Sequence, residues 1–503
     1  MDDKNSGSQP TKTGNLLSFG FFQGVDKKRL SFLLLGIVLF FGVYYAPALP
    51  EAVDPTGKEV ALTHQGKAAL GLFLLAATWW VFEVIPIGVT GIAIAVLQSL
   101  FLIRDSREAF TDFMDPSVWF IIGSIVFGLV FTKTGLAKRM AYKMLILVGE
   151  KTSMIYLGSF IMTASLTLIM AHTAVAATVY PLFMAIYALY EDGDTPTKFG
   201  KGLFIGMAFT AGAGSIITLL GAARGAVAIG FYNDIVGTEI TFFGLSFFMF
   251  PVGMIMVILL WCYFMILFRP ERKTIPGLRE RAKALYSRLG PISASEKLTL
   301  TIVFLTIATL SLRSLNFIPG LENLDKSAVI LVSTVLFFVF KILSIKDLED
   351  IPWNIILLFG GAMSIGYCLY HTGAAEWLAI HWLVLFQDTH WFLFIGGITF
   401  FVLLLTNLIM NVAAISISLP VALILSSYLG VAPEVILFTS LAAAGMPFLF
   451  LVGAAPNAIA YNSGQFTAGE FFLAGIPASI LLMVVLALFV YFIWPIMGMP
   501  ILV

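Results

Sequence analysis

The stretch "TLIMAHTAVAATVYPL", Thr167 to Leu182, puts a titratable ring, His172, inside one of the most apolar parts of the chain. A second stretch, "TNLIMNVAAISISLPV", Thr406 to Val421, repeats the device. In both, Ile-Met precedes a polar residue, and a proline follows that residue nine positions later: His172 to Pro181, and Asn411 to Pro420. Two matched interruptions of apolar runs, far apart in one chain, point to a duplicated membrane fold.

Composition sets the solvent. The 503 residues are 59% hydrophobic and 12% charged, with 46 Phe, and mean hydropathy is +0.96. Soluble domains carry about 25% charged residues. Apolar windows such as Leu30–Ala48, Phe242–Phe268, Ala328–Ile345, Trp391–Ile409 and Ala478–Met497 reach or approach the ~20 residues that cross a hydrocarbon core. The expected fold is an all-α polytopic membrane protein of roughly eleven transmembrane helices. The net charge of zero says nothing about nucleic acid, and no basic cluster invites it, so no nucleic-acid partner is expected. Cys262 and Cys368 lie in apolar segments and read as small core residues, and five scattered histidines offer no metal-ligand spacing. No cofactor or metal is expected. The spans hold no nucleophile–base pair, so the chain is not read as an enzyme.

Loop charge gives orientation. Residues 269–297 hold eight Lys or Arg against three Glu, and the polar tail, residues 1–29, ends in Lys27-Lys28-Arg29. The loop "PEAVDPTGKEV" (50–60) after the first span is acidic. Basic residues near span ends stay in the cytosol, which places the tail and the 269–297 loop inside a plasma (inner) membrane.

That loop separates two similar halves. "DPSVWFIIGSIVFGLVFTKTGLAKRMA" (115–141) resembles "IPWNIILLFGGAMSIGYCLYHTGAAEWLA" (351–379), and the two opening stretches follow in the same order. A third pair, "GSIITLLGAARGAVA" (214–228) and "PFLFLVGAAPNAIA" (447–460), aligns at Gly-Ala-Ala. The resulting segments are the tail 1–29, scaffold helices 30–114, a first repeat 115–268, the basic loop 269–297, scaffold helices 298–350 and a second repeat 351–503. Each repeat is expected to hold a hairpin and a broken helix. The quoted stretches read as the helix breaks and the Gly-Ala-Ala segments as hairpin tips. Matched interruptions in duplicated halves mark the midplane site of a secondary transporter.

The candidate site follows from these landmarks. Arg224, between "GAA" and "GAVAIG", has no local partner, and an intramembrane arginine faces a cavity or a counter-charge. Helix N-termini near Thr173 and Val412 add backbone donors and positive dipole ends. Asn411 and Asn457 add neutral hydrogen bonds, and Gly221 and Pro456 belong to the same segments. Glu83, at a Pro-broken helix end, reads as architectural. Two cationic side chains, His172 and Arg224, suit a substrate with two carboxylates.

These residues resemble the divalent anion/sodium symporters, a family of dicarboxylate and citrate carriers. "WWVFEVIPIGVTG" (79–91) looks like its Trp-Trp, Glu, Ile-Pro, Val-Thr signature, and the opening stretches sit where it has paired Ser-Asn-Thr motifs. The third landmarks stand at its Gly-Thr-Pro-Pro-Asn motifs. The resemblance implies a homodimer, a scaffold domain, a moving (elevator) transport domain with two re-entrant hairpins, and sodium beside each Ser-Asn-Thr; inverted repeats are expected. Here those motifs read Ala171-His172-Thr173 and Met410-Asn411-Val412, and the first Gly-Thr-Pro-Pro-Asn reads Gly221-Ala222-Ala223-Arg224-Gly225. Both serines are gone where fixed positive charge appears. The expected function is therefore sodium-independent dicarboxylate exchange, of the kind found among 2-oxoglutarate/malate translocators. Sodium-coupled symport in the same fold is the alternative; a channel, a membrane enzyme and a carrier of other anions such as sulfate rank below it.

Overall fold

The computed structural model describes residues 27–53, 59–190, 196–315, 318–386 and 389–503. The expected cytosolic tail lies outside the described residues except at its end, where Lys27 opens the first helix, Lys27–Tyr44. Apart from a ribbon of two short strands, Ala52–Val53 and Glu59–Val60, the regular structure is helical. Eight described helices are long and apolar enough to cross a membrane, and three shorter ones are comparably apolar.

Short polar caps start many of the helices. Asp115 accepts from the Ser117 N–H with Pro116 next to it, Thr197 caps Gly200, and Thr467 and Glu470 form a reciprocal capping box. Glu83 turns the chain at φ +43° between His64–Val81 and Ile87–Leu100, with its side chain exposed.

Two hairpins and two broken helices form the centre. The first hairpin pairs Thr152–Thr167 with His172–Tyr190 through residues 168–171, and the second pairs Trp391–Leu408 with Asn411–Tyr428 through residues 409–410. Connectors of this length return the chain antiparallel, and the arms pack against each other. The first broken helix joins Lys198–Gly214 to Ala223–Val236 through residues 215–222, and the second joins Pro433–Gly445 to Ala455–Tyr461 through 446–454. The structure thus reverses two expectations. The quoted stretches hold the hairpin tips, and the Gly-Ala-Ala segments hold the helix breaks. Helices run on through Pro181 and Pro420; each proline removes one backbone bond, a loss that membrane helices tolerate.

Contacts at the helix ends fix the directions. Thr152 donates to Arg272 O (2.9 Å) and Tyr190 to Glu271 (2.9 Å), so the first hairpin opens at the face of the basic loop. The first broken helix starts at that face too, where Lys198 N–H donates to Glu271 (2.6 Å). Its far end lies near the start of the second broken helix, where Tyr232 bonds Glu434 (2.7 Å). The second hairpin opens where Val431 pairs with Leu502 and Trp391 stacks on Tyr491. The run Ala468–Ile496 separates these ends, since Glu470 pairs with Lys201 at the basic-loop face and its other end reaches Tyr491. Its 29 residues span about 43 Å at ~1.5 Å per residue. The two hairpins therefore open to opposite faces, and the repeats are inverted.

Close backbone packing brings the breaks together. A Cβ on Gly212 would lie 2.8 Å from Gly445 O, so the last turns of Lys198–Gly214 and Pro433–Gly445 meet backbone to backbone. Such approach is how helices associate in lipid, where apolar burial supplies little drive.

Candidate functional site

Each hairpin tip is tied to the break of its own repeat. In the first, the His172 N–H donates to Gly221 O (2.9 Å), Thr218 donates to Leu168 O (2.9 Å), and Ser124 donates to Leu220 O (2.9 Å). His172 Nδ1 lies 3.3 Å from the same Gly221 carbonyl, so this nitrogen carries a hydrogen and Nε2 is the one left for another partner. Gly221 is required by space, because a Cβ there would fall 2.7 Å from both Thr167 O and Ser215 O.

In the second repeat, Thr406 donates to Ala444 O (3.0 Å), and Asn407 Oδ1 accepts from Leu449 N–H (2.7 Å). Asn457 gives both amide hydrogens to its own break, at Pro447 O (2.9 Å) and Phe450 O (3.1 Å). It therefore holds the backbone, which departs from the substrate-donor role expected of it; only its Oδ1 is uncommitted to these bonds. Pro456 opens the short helix Ala455–Tyr461, where its missing N–H costs nothing. Asn411 is 6% exposed and its buried Nδ2 has no partner. Its neighbour Val412 is buried and apolar, while Thr173 is half-buried in the first turn after His172.

Arg224 is the centre of the arrangement. It lies in the first turn of Ala223–Val236 and is 2% exposed. Nη2 donates to Ser215 Oγ (2.7 Å), and Nη1 is buried without a partner. Its guanidinium crosses to the other repeat, where a Cβ on Gly445 would lie 2.5 Å from Nη2 and 3.0 Å from Cζ. Arg224 forms no ion pair among the described residues. Its charge rests instead near the C-terminal ends of Lys198–Gly214 and Pro433–Gly445, the negative ends of those helix dipoles. Broken-helix transporters use such half-helix ends to hold coupling ions.

Several oxygens around the first break are already engaged. Gly221 O, Leu220 O, Leu168 O and Ser215 Oγ each already accept from a protein donor, and Ala171, Ala222 and Ala223 carry no side-chain oxygen. Around the second break, Ala444 O, Pro447 O and Phe450 O are similarly engaged. Four helices begin here, at His172, Ala223, Asn411 and Ala455, and their first-turn N–H groups have no helical acceptor. Chemically, the centre suits an anion: one guanidinium nitrogen, one amide nitrogen and several backbone donors await acceptors.

Ser215, Asn407, Thr406 and Gly445 are site residues that the sequence reading missed. Asn407 and Thr406 open the second quoted stretch, and their polarity in an apolar run was the available signal. Gly445 carried none, because its role depends on a side chain from the other repeat.

Residues 33–500 match the family model described as the sodium:sulfate symporter transmembrane region. The sodium-dependent dicarboxylate transporter SdcS of Staphylococcus saprophyticus is 27% identical over 456 residues, covering 86% of this chain and 87% of that protein. SdcS of Staphylococcus aureus strain COL is 26% identical over the same length. Among solved structures, Neisseria gonorrhoeae MtrF, described with a class of antimetabolite efflux pumps, aligns at TM-score 0.56 and 10% identity over 92% of this chain and 94% of its own. The Alcanivorax borkumensis YdaH transporter aligns at 0.55 and 14% identity over 94% and 98%. At these identities the two structures speak to the fold alone. The family match spans nearly the whole chain: this protein belongs to the sodium:sulfate symporter family, the divalent anion/sodium symporters.

Proposed function

We propose that the chain is a secondary active transporter of dicarboxylates that works as a homodimer by elevator-type alternating access, with the 269–297 loop in the cytosol. One observation carries the anion assignment: Arg224 is buried where both broken helices meet, has no acidic partner, and keeps a guanidinium nitrogen unpaired. A buried charge of this kind is costly until an ionised partner arrives. A carboxylate is the natural one, since it matches a guanidinium edge with two charge-assisted bonds. The second carboxylate has the Asn411 amide and the N-termini at His172 and Asn411. The printed names of the relatives support the dicarboxylate class.

On coupling, geometry and relatives pull apart. Arg224 stays behind when a dianion leaves, so the empty centre keeps its charge. Moving that charge through an apolar barrier costs several kcal/mol. A penalty of ~4 kcal/mol slows the empty return about a thousandfold. That favours sodium-independent exchange, as do the engaged oxygens at the first break. The relatives are named as sodium-dependent and the family as sodium symporters. The comparisons therefore back sodium-coupled symport better than exchange.

Uptake of labelled succinate and malate into proteoliposomes separates the readings. Exchange requires dicarboxylate inside the vesicle and is indifferent to replacing sodium by choline. Sodium-driven uptake into empty vesicles assigns symport. Sulfate uptake with no response to any dicarboxylate overturns the substrate class.

A further inference from the structure

A second polar cluster lies at the far end of the helix that begins with Arg224. Asp234, in the last turn of Ala223–Val236, and Asp115, the cap of Pro116–Thr134, share one phenol. The Tyr367 oxygen lies 2.5 Å from Asp234 Oδ2 and 3.1 Å from Asp115 Oδ2. A phenol has one hydrogen and can satisfy one of these carboxylates; the second contact needs another hydrogen, delivered to the phenol oxygen by the acid itself. The two acids differ in where that hydrogen is stable. Asp115 Oδ1 accepts from the Ser117 N–H (2.7 Å) at a helix N-terminus, so this acid already has a backbone donor. Asp234 sits at a helix C-terminus, where the carbonyl ends disfavour negative charge.

We propose that Asp234 is a proton-binding site: it holds a hydrogen as a carboxylic acid, donates it to the Tyr367 oxygen, and Tyr367 donates in turn to the Asp115 carboxylate. Both acids line a cavity of about 470 Å³ together with Lys326, which is 6% exposed and forms an ion pair with neither. The other charged groups are accounted for. Arg313 pairs with Glu239, Asp325 caps Ser327 and Ala328, Glu434 bonds Tyr232, and the His371 ring lies 6.0 Å from that of Tyr367. The cavity gives the acid a path for proton exchange.

The proton has a mechanical consequence. Protonated, the triad joins the Arg224-bearing half-helix to Pro116–Thr134 and Trp353–His371. On proton loss, two carboxylates face one phenolic hydrogen, and like-charge repulsion loosens that joint. That step rests on the transport reading above; the proton site does not.

Infrared difference spectra of the purified protein test the site directly. The expected result is a protonated-carboxyl band at neutral pH in wild type and in D115N, absent from D234N, and lost reversibly as pH is raised. A wild-type protein without that band, or D234N retaining it, overturns the proposal. So does a D234N chain that fails to fold, because the amide reproduces the shape and donor of the neutral acid. In proteoliposomes, wild-type succinate flux should change with pH over the range in which the band titrates, and D234N flux should be flat. A D234N profile that follows wild type overturns the link to movement. If no dicarboxylate is carried at all, the infrared result still stands on its own and the transport reading alone fails.

Discussion

Replacing Arg224 by methionine separates charge from volume. The side chain is 2% exposed, makes one hydrogen bond, to Ser215, and leaves Nη1 unpaired. Methionine keeps an unbranched stem that fills the same track. In the empty protein, losing the charge-assisted bond costs about 1.5–3 kcal/mol. Removing a buried charge that lacks an ionic partner relieves a desolvation penalty of several kcal/mol. The two oppose each other, so the empty variant should not melt far below wild type. Substrate binding has no such offset. A carboxylate left buried without its cation costs ~3–5 kcal/mol, and at ~1.4 kcal/mol per tenfold the Kd should rise about two-hundred-fold or more. Thermal melting with succinate reads both effects. At a ligand concentration of 100 Kd, wild type gains ~2.7 kcal/mol, whereas the variant at the same concentration gains less than about 0.3 kcal/mol. A variant that keeps the wild-type ligand shift refutes the assignment of Arg224 to the substrate. One that melts far lower when empty makes the arginine a structural residue.

Gly445→Ala would place a methyl 2.4 Å from Ile216 Cγ2 and 2.5 Å from Arg224 Nη2. The guanidinium must shift, and succinate affinity should fall at least about tenfold, the worth of one charge-assisted bond; radioligand binding at wild-type strength would contradict the placement. His172→Asn keeps a polar group but loses the ring contact to Gly221. Affinity should fall about tenfold with melting little changed, and the opposite pattern would make the ring a tether alone. On the basic-loop face, hydrogen bonds from Lys133 and then Ser344 hold the Asp347 carboxyl down at about 2, from 3.8. Its folded value lies below its unfolded one, so its contribution is present above pH 3.8 and is lost as pH falls through about 2. Asp347→Asn should flatten the melting temperature over that window, and an unchanged acid profile would show the pair to be inert.

The membrane class, the duplication and the helix starts were legible because each leaves a local trace. Helices expected to begin near Thr173 and Val412 begin at His172 and Asn411. Which interruption is a hairpin and which a break was not legible, since both are apolar runs broken by small or polar residues. The distinction is tertiary. Arms that pack back on each other make a tip, and half-helices that continue across the layer make a break. Asn457 illustrates the same limit. Its residue type fits a substrate donor or a backbone clamp, and only the positions of Pro447 O and Phe450 O assign it to the clamp. The close approach of the Arg224 guanidinium to Gly445 was illegible for the same reason, since Gly445 lies in the other repeat.

Gly214 and Gly445 hold corresponding places, each the last residue of a half-helix before its break. Both hold open the same kind of space, but different groups fill it. A Cβ on Gly214 would meet Thr167 Oγ1 at 2.3 Å, a hydroxyl from the neighbouring hairpin, whereas one on Gly445 would meet the Arg224 guanidinium. Backbone of Ala164 also closes on Gly214, whereas only side chains close on Gly445. Position 224 has Pro456 as its mate, so the duplicated frame itself does not call for a cation there. A mobile ion at a half-helix end leaves with the substrate and lets the empty centre become neutral. A guanidinium tethered to the chain cannot leave. The exchange reading proposed above therefore rests on this one side chain, and the Arg224 variant is the place to test it.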